Sequence, residues 1–163
     1  MMSKGNNGKG NNPERDLWQT SQKLFKILNN QYKFKFDCCA NSNNSKCSNF
    51  SDNFQNVVNV KGVCWMNPPF SKARQMFEHF FKVVKKGVAI YRCDNFETKI
   101  WREIIFPNAS WVFIPKGRVS YTPFKINIRK GGSRFPSALI GLNLPYINFL
   151  KGTILNKKVV KNV

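Results

Sequence analysis

Acidic residues and long apolar runs are both scarce in this chain of 163 residues. Only 8 Asp and Glu stand against 27 Lys and Arg, which gives a formal net charge of +19. No apolar run approaches the roughly 18 residues that a membrane-spanning helix needs, so we do not expect a membrane protein. Residues 1–12 lack the apolar core of a secretory signal peptide, so we expect a cytoplasmic protein.

Cysteine is also sparse, and the number of cysteines is odd. The five thiols belong to Cys38, Cys39, Cys47, Cys64 and Cys93. None of them forms the paired C-x-x-C spacing of a zinc site, and an odd number argues against a secreted disulfide scaffold. We therefore expect reduced thiols and no bound metal.

Aromatic residues are abundant, and 15 Phe among 14% aromatics supply material for a hydrophobic core. A chain of this length forms one domain and hardly two. We expect residues 13–163 to be that domain. Residues 1–12 contain only Met, Gly, Asn, Lys and Ser, which predicts a disordered basic tail.

The positive charge is concentrated after Glu103, which is the last acidic residue. A coding sequence rich in A and T would raise Lys and Asn whatever the function, so composition alone leaves that explanation open. One-sided charge on a folded half is, however, typical of a nucleic-acid-binding surface. The basic residues concerned are Lys116, Arg118, Lys125, Arg129, Lys130, Arg134, Lys151, Lys157, Lys158 and Lys161.

Hydrophobic patterns alternate between strand and helix through the middle of the chain. They predict an α/β fold whose sheet is mostly parallel, with an antiparallel strand pair near the C-terminus. Helices are predicted after Ser21, over residues 73–84 with Ser71 as cap and Lys85, Lys86 and Gly87 at the end, and over residues 97–106. Strands are predicted at residues 33–37, 57–60, 62–66, 88–91, 110–114, 118–121 and 137–144.

The most informative motif is Asn67-Pro68-Pro69-Phe70, between a buried strand and an amphipathic helix. Ligands of open α/β sheets bind at the carboxyl ends of strands. The Asn67 side chain and the Pro68 carbonyl are two acceptors, which together can receive both protons of an exocyclic amine. Phe70 offers a flat face on which a base can stack. The simpler alternative is an Asx-Pro turn that starts the helix.

Five short segments follow one another in an order shared with a known family. They are Trp18-Gln19-Thr20-Ser21; Phe36-Asp37-Cys38-Cys39-Ala40 with Asn44-Ser45-Lys46-Cys47; Asn67-Pro68-Pro69-Phe70; Trp101 with Gly117-Arg118-Val119-Ser120-Tyr121; and Gly132-Ser133 with Pro136-Ser137-Ala138. In these segments the chain resembles the phage-type DNA N6-adenine methyltransferases, the phage Dam family, which use S-adenosylmethionine.

The resemblance implies a compact Rossmann-like class I methyltransferase fold that methylates N6 of adenine at specific sites in double-stranded DNA, as in restriction–modification systems. It implies no metal and no obligate protein partner. The flipped adenine would be held by Asn67, Pro68, Pro69 and Phe70. The S-adenosylmethionine pocket would be lined by Trp18, Thr20, Asp37, Ala40 and Asn44. From the charge pattern, the DNA contacts are assigned to Arg118, Arg129, Lys130 and Arg134.

The turn after Asp37 departs from the usual methyltransferase pattern, because Cys38-Cys39-Ala40 contains no glycine. The interval from Asp37 to Asn67 is also short, which predicts a trimmed sheet. Two alternatives stay open. The same motif can serve N4 of cytosine, or the chain can be a basic DNA-binding protein whose methyltransferase fold no longer turns over.

Overall fold

The computed structural model describes residues 16–123 and 135–156. The predicted tail at residues 1–12 lies outside the described residues. So do three of the predicted DNA contacts, Arg129, Lys130 and Arg134.

Nine strands and three helices, joined by short 3₁₀ turns, make up the described part. The strands are β1 (Trp18–Thr20), β2 (Phe36–Asp37), β3 (Asn49–Phe50), β4 (Val63–Met66), β5 (Lys86–Arg92), β6 (Trp111–Pro115), β7 (Tyr121–Pro123), β8 (Ser137–Leu142) and β9 (Gly152–Asn156). The helices are α1 (Gln22–Tyr32), α2 (Ala73–Val83) and α3 (Phe106–Asn108), the last continuing a π-helical segment at Ile100–Ile105.

Seven of the strands form one mixed sheet in the order β3-β2-β4-β5-β8-β6-β9. The first four strands are mutually parallel, whereas β8 runs antiparallel to both β5 and β6, and β9 antiparallel to β6. The predicted α/β fold is confirmed, and the sheet is parallel from β3 to β5. In place of one antiparallel pair near the C-terminus, the structure has three antiparallel pairings, which involve β5, β8, β6 and β9. Strands β1 and β7 form a separate antiparallel ribbon.

Strand β4 is buried on both faces, as its continuous apolar run predicts. Cys64 and Met66 face the core that includes α2, and Trp65 faces the core that includes α1. Since successive side chains of a strand point to opposite faces, the residues of β4 pack alternately into the two layers. The turn that follows β4 is thereby held at a fixed place in the sheet.

Helix α2 begins and ends differently from its prediction. Lys72, not Ser71, is the residue before its first turn, and the helix stops at Val83. Lys86 and Gly87 then belong to β5. A Cβ on Gly87 would stand 2.9 Å from the Cys64 carbonyl and 2.9 Å from the Phe80 ring. Gly87 is therefore required by close packing of a strand and not by a helix stop.

Three other predictions of local structure are corrected. Residues 57–60 form no strand but follow a 3₁₀ turn at Phe54–Asn56. Strand β2 is only two residues long, and Lys33, predicted to start it, instead ends α1 in the left-handed region with φ 55°. The helix predicted from residue 97 begins only at Ile100 and is wound as a π-helix. None of the helices in the part of the chain that the structure covers has the length and hydrophobicity to cross a bilayer.

Replacing Gly141 by alanine should destabilise the sheet. The added Cβ would stand 2.0 Å from the Trp111 ring, and that ring is held by a 2.9 Å hydrogen bond from its Nε1 to the Leu144 carbonyl. Overpacking of this kind costs about 3 kcal/mol of unfolding free energy, measurable by urea denaturation. Gly117→Ala is the control: its Cβ meets nothing within 4 Å, so only the positive φ of 89° opposes it, at about 1 kcal/mol. Equal losses in the two variants would contradict the packing argument.

Candidate active site

A cavity of about 400 Å³ opens at the carboxyl ends of β2 and β4. Its walls are residues 16–20, the loop after β2, the 3₁₀ turn at Phe54–Asn56, the turn after β4, and the first residues of α2. The volume lies within the range of small-molecule sites, and the carboxyl ends of parallel strands are where α/β sheets bind ligands. Residues 16–20, which line this cavity, are called the strap below.

The structure places all five residues of the predicted cofactor pocket at this cavity: Trp18, Thr20, Asp37, Ala40 and Asn44. The strap supplies the first two, and the end of β2 with its following loop supplies the others. The Asn44 side chain closes that loop, since its Oδ1 accepts the Asn41 N–H at 2.8 Å. Their role in binding a cofactor stays a prediction.

Asp37 is a carboxylate in an almost closed environment, with 3% of its surface exposed. Its Oδ2 accepts the Lys46 N–H at 2.9 Å, and its Oδ1 accepts the Cys39 N–H at 3.4 Å. Burial nevertheless raises the pKa of Asp37 to about 6, against the opposing effect of these two bonds. The carboxylate is therefore poised to bind a cation or a further hydrogen-bond donor.

The turn after Asp37 closes without glycine. Among the described residues, the only non-glycine positions with positive φ are Lys33 and Asn143, so Cys38, Cys39 and Ala40 adopt ordinary backbone conformations. The Ala40 N–H bonds to the Ser51 carbonyl at 3.0 Å. The missing glycine therefore puts no steric strain on this turn.

The thiols around Asp37 are protonated. Burial raises the pKa of Cys38 well above its ordinary value and the pKa of Cys47 to about 12. The Cys38 thiol is hydrogen-bonded to Cys64. No group of three or more His, Cys, Asp or Glu among the residues described could hold a metal ion. Buried, protonated thiols of this kind pack as small apolar groups.

Thr20 presents an unusual buried hydroxyl in the wall of the cavity. The residue is 1% exposed, and its Oγ1 has no hydrogen-bond partner among the described residues. Buried polar groups are almost always paired, so a hydroxyl left over at a cavity points to a partner on a bound molecule. This atom and the Asp37 carboxylate suit a ligand that carries both donors and acceptors.

Asn67 is fixed by the strap. Its Nδ2 donates to the Trp18 carbonyl at 2.8 Å. A carbonyl can only accept, so the amide nitrogen must face the strap, and Oδ1 must point elsewhere. That oxygen receives no hydrogen bond from the described residues, and neither does the Pro68 carbonyl. Neither oxygen is therefore engaged within the described part of the structure, and their role as acceptors stays a prediction.

Of the four predicted catalytic residues, Asn67 and Pro69 line the cavity. Pro68 is buried. Phe70 lies half-buried beside it, with ring centroids 5.0 Å from Phe135 and 6.0 Å from Tyr91, both edge-on. The ring expected to stack on a base therefore belongs to an aromatic cluster next to the cavity.

Two parts of this region were not predicted. The first is Arg92 with Asp94, at the carboxyl end of β5, where the Arg92 guanidinium lies 5.9 Å from the centroid of Phe70. Its Nε donates to Asp94 Oδ1 at 2.7 Å. The position directly after a buried strand was a usable signal. The second is Asp16, whose carboxylate accepts hydrogen bonds from the N–H and the hydroxyl of Ser71.

Arg118, the described member of the predicted DNA contacts, is exposed after a turn at Gly117. It does not line the cavity. It lies near the Arg92–Asp94 pair, since the pKa of Asp94 is lowered mainly by its hydrogen bond from Arg92 and more weakly by the charge of Arg118. The structure thus places Arg118 on the side of the aromatic cluster.

The raised pKa of Asp37 predicts a pH-dependent stability. Between its ordinary value near 4 and about 6, the folded state binds this proton more tightly than the unfolded state does. Stability contributed by the protonated form is therefore lost as pH rises through this window. Relative to Asp37→Asn, the wild-type unfolding free energy should fall by roughly 2 kcal/mol between pH 4 and 7. Urea denaturation at several pH values measures this difference, and a flat difference would contradict the assignment.

Comparison with known proteins gives a family match. No curated protein matches the chain. A family model described as DNA N-6-adenine-methyltransferase (Dam) matches residues 7–158, which is nearly the whole chain and includes the strap, Asp37 and the turn after β4. The chain belongs to the DNA N-6-adenine-methyltransferase (Dam) family.

Proposed function

We propose that the protein transfers a methyl group from S-adenosylmethionine to N6 of adenine in double-stranded DNA. The observation that carries this proposal is the orientation of Asn67. Its amide nitrogen is turned toward the Trp18 carbonyl at 2.8 Å, which leaves Oδ1 as an acceptor that faces away from the strap. A substrate group that meets two acceptors must be a donor of two protons, which an exocyclic amine is.

The cavity suits S-adenosylmethionine, which supplies an electrophilic methyl group when bound. Thr20 Oγ1 lacks a partner among the described residues and can pair with a polar group of this molecule. The Asp37 carboxylate can accept from its amino group or its ribose hydroxyls. The parallel strands β3, β2, β4 and β5, with α1 and α2 on opposite faces, support a compact Rossmann-like reading of the fold.

Asn67 and Pro68 act on the amine. When both amine protons are held by Asn67 Oδ1 and the Pro68 carbonyl, the nitrogen lone pair is left free to attack the methyl carbon. The carbon–sulfur bond would break as the carbon–nitrogen bond forms, and one amine proton would then pass to solvent. Fixed acceptors stabilise the positive charge that develops on nitrogen, and they need no reorganisation at the moment of transfer. The two prolines keep this geometry rigid, so that positioning supplies much of the rate.

The target adenine must leave the DNA stack to reach the turn, at a cost of a few kcal/mol. Phe70 lies half-buried at the turn, supported edge-on by the buried Tyr91 and Phe135, and is the ring offered to the extruded base. We propose that the basic residues Arg118, Arg129, Lys130 and Arg134 contact phosphates beside it. We propose that residues 13–163 form one methyltransferase domain. It acts in the cytoplasm of a bacterial or phage-infected cell and modifies DNA at specific sites.

Replacing Asn67 by alanine should reduce methyl transfer by at least a hundredfold, because one of the two acceptors is lost. The measurement is transfer of labelled methyl from S-adenosylmethionine to unmethylated DNA, followed by nucleoside analysis. Asn30→Ala, at an exposed position of α1, is the matched control and should retain wild-type activity.

The same nucleoside analysis separates the alternatives. Label in N6-methyladenine supports the proposal. Label in N4-methylcytosine would overturn the choice of base, and label that survives Asn67→Ala would overturn the site. DNA binding without cofactor binding or transfer would instead favour a basic DNA-binding protein.

DNA affinity should fall steeply with salt, because each phosphate contact releases counterions. Arg118→Gln should reduce the slope of log affinity against log salt by about 0.9, which is the value for one phosphate contact. Lys61→Gln is the control, since Lys61 is exposed before β4, at the opposite end of the strands from the cavity. Equal slope changes in the two variants would contradict a specific contact at Arg118.

A further inference from the structure

Two tethers join the strap to the turn after β4. At one end of the turn, Asn67 Nδ2 donates to the Trp18 carbonyl at 2.8 Å. At the other end, the Ser71 N–H donates to Asp16 Oδ1 at 2.9 Å, and the Ser71 hydroxyl donates to Asp16 Oδ2. The strap therefore contacts the residues on both sides of the Pro-Pro pair.

We propose that Asp16 is a positioning residue for methyl transfer, an inference that rests on the proposed function. By holding Ser71, Asp16 keeps the Trp18 carbonyl against the Asn67 amide. Asp16 acts through Asn67 and does not itself touch the reacting amine.

The physical reason lies in the symmetry of an amide group. The oxygen and the nitrogen of Asn67 have nearly the same shape, so rotation by 180° exchanges an acceptor for a donor. An amide turned in that way would present N–H groups to the substrate amine, which is itself a donor. The Trp18 carbonyl prevents this, because only the nitrogen of Asn67 can bond to it.

The position of the strap is set from two sides. Strand β1 pairs with β7 from Trp18 to Thr20, and the Trp18 ring meets Tyr121 edge-on at 6.3 Å. Asp16 precedes this ribbon, and its carboxylate bonds to Ser71 in the turn after β4. Loss of the Asp16 carboxylate leaves β1 tied to β7 but removes one of the two tethers between the strap and the turn, so the Asn67–Trp18 bond must hold alone.

A competing role for Asp16 is direct binding of the cofactor, since its carboxylate also lines the cavity. Both of its oxygens are, however, occupied by Ser71. The two roles differ in what they change. A positioning role predicts slower transfer at saturating S-adenosylmethionine, whereas a binding role predicts weaker affinity for it.

The test compares Asp16→Ala, Asp16→Asn and Ser71→Ala with the wild type. Single-turnover transfer to a DNA duplex and the Kd for S-adenosylmethionine are measured for each. We expect Asp16→Ala to slow transfer at least tenfold and to change Kd less than threefold. Asp16→Asn should restore most of the rate, because its Oδ1 can still accept the Ser71 N–H while its Nδ2 donates to the hydroxyl. Ser71→Ala, which removes one bond of the two, should be intermediate.

Two further variants sharpen the comparison. In the double variant Asp16→Ala with Ser71→Ala, the rate should equal that of Asp16→Ala alone, because both changes break the same tether. Glu78→Gln, on the exposed face of α2 where Glu78 pairs with Arg74, is the charge-matched control and should match the wild type.

A readout that does not require activity is the Asn67 side-chain amide in the NMR spectrum of the free protein. Its protons should exchange slowly in the wild type and at least tenfold faster in Asp16→Ala. Unchanged exchange and rate in Asp16→Ala would overturn the proposal, and so would a loss confined to cofactor affinity. If the wild type itself transfers no methyl group, the proposed function fails, whereas the amide exchange still decides whether Asp16 fixes Asn67.

Discussion

The hydrogen bond from Asn67 Nδ2 to the Trp18 carbonyl joins two segments that lie 49 positions apart in the chain. One segment ends a central strand of the sheet, and the other is the strap across the cavity. Because a carbonyl accepts and never donates, this bond decides which atom of Asn67 faces the strap. The orientation of the Asn67 amide, with Oδ1 turned away from the strap as an acceptor, follows from it.

This bond can orient the Asn67 side chain only because the backbone of the turn is itself held in place by packing. Strand β4 places Met66 in one core and Trp65 in the other, so the two residues before Asn67 are packed on opposite faces of the sheet. The prolines then restrict the backbone on the other side of Asn67. A parallel strand buried in this way needs coverage on both faces, which α1 and α2 provide. The rigidity of the turn therefore depends on the two helices that cover the faces of the sheet.

The sequence allowed the parts with strong local signals to be predicted. The apolar run of β4, the periodicity of α2 and the five segments shared with the family led to the sheet, the turn and the residues around the cavity. The predicted end of α2 was wrong because Gly87 was taken as a helix stop. It is required instead by packing against Phe80, which the local sequence pattern does not reveal. The contact between Asp16 and Ser71 was missed for a similar reason. Its partner Ser71 is 55 positions away, and Ser71 was assigned to a helix cap.

The charge distribution reconciles two opposite demands of the proposed reaction. A net charge of +19 attracts a polyanion at long range, yet the proposed cofactor carries a cationic sulfonium and an amino group. Three of the 8 acidic residues line the cavity, namely Asp16, Asp37 and Asp52, beside the two bases Lys46 and Lys72, so acids outnumber bases there although the whole chain is strongly basic. At contact distance, and with little water between the charges, a nearby carboxylate outweighs distant lysines, whose effect is screened within about 10 Å in ordinary salt. Long-range attraction and local binding can therefore have opposite signs in one small domain, provided that the acids are gathered where the strands end.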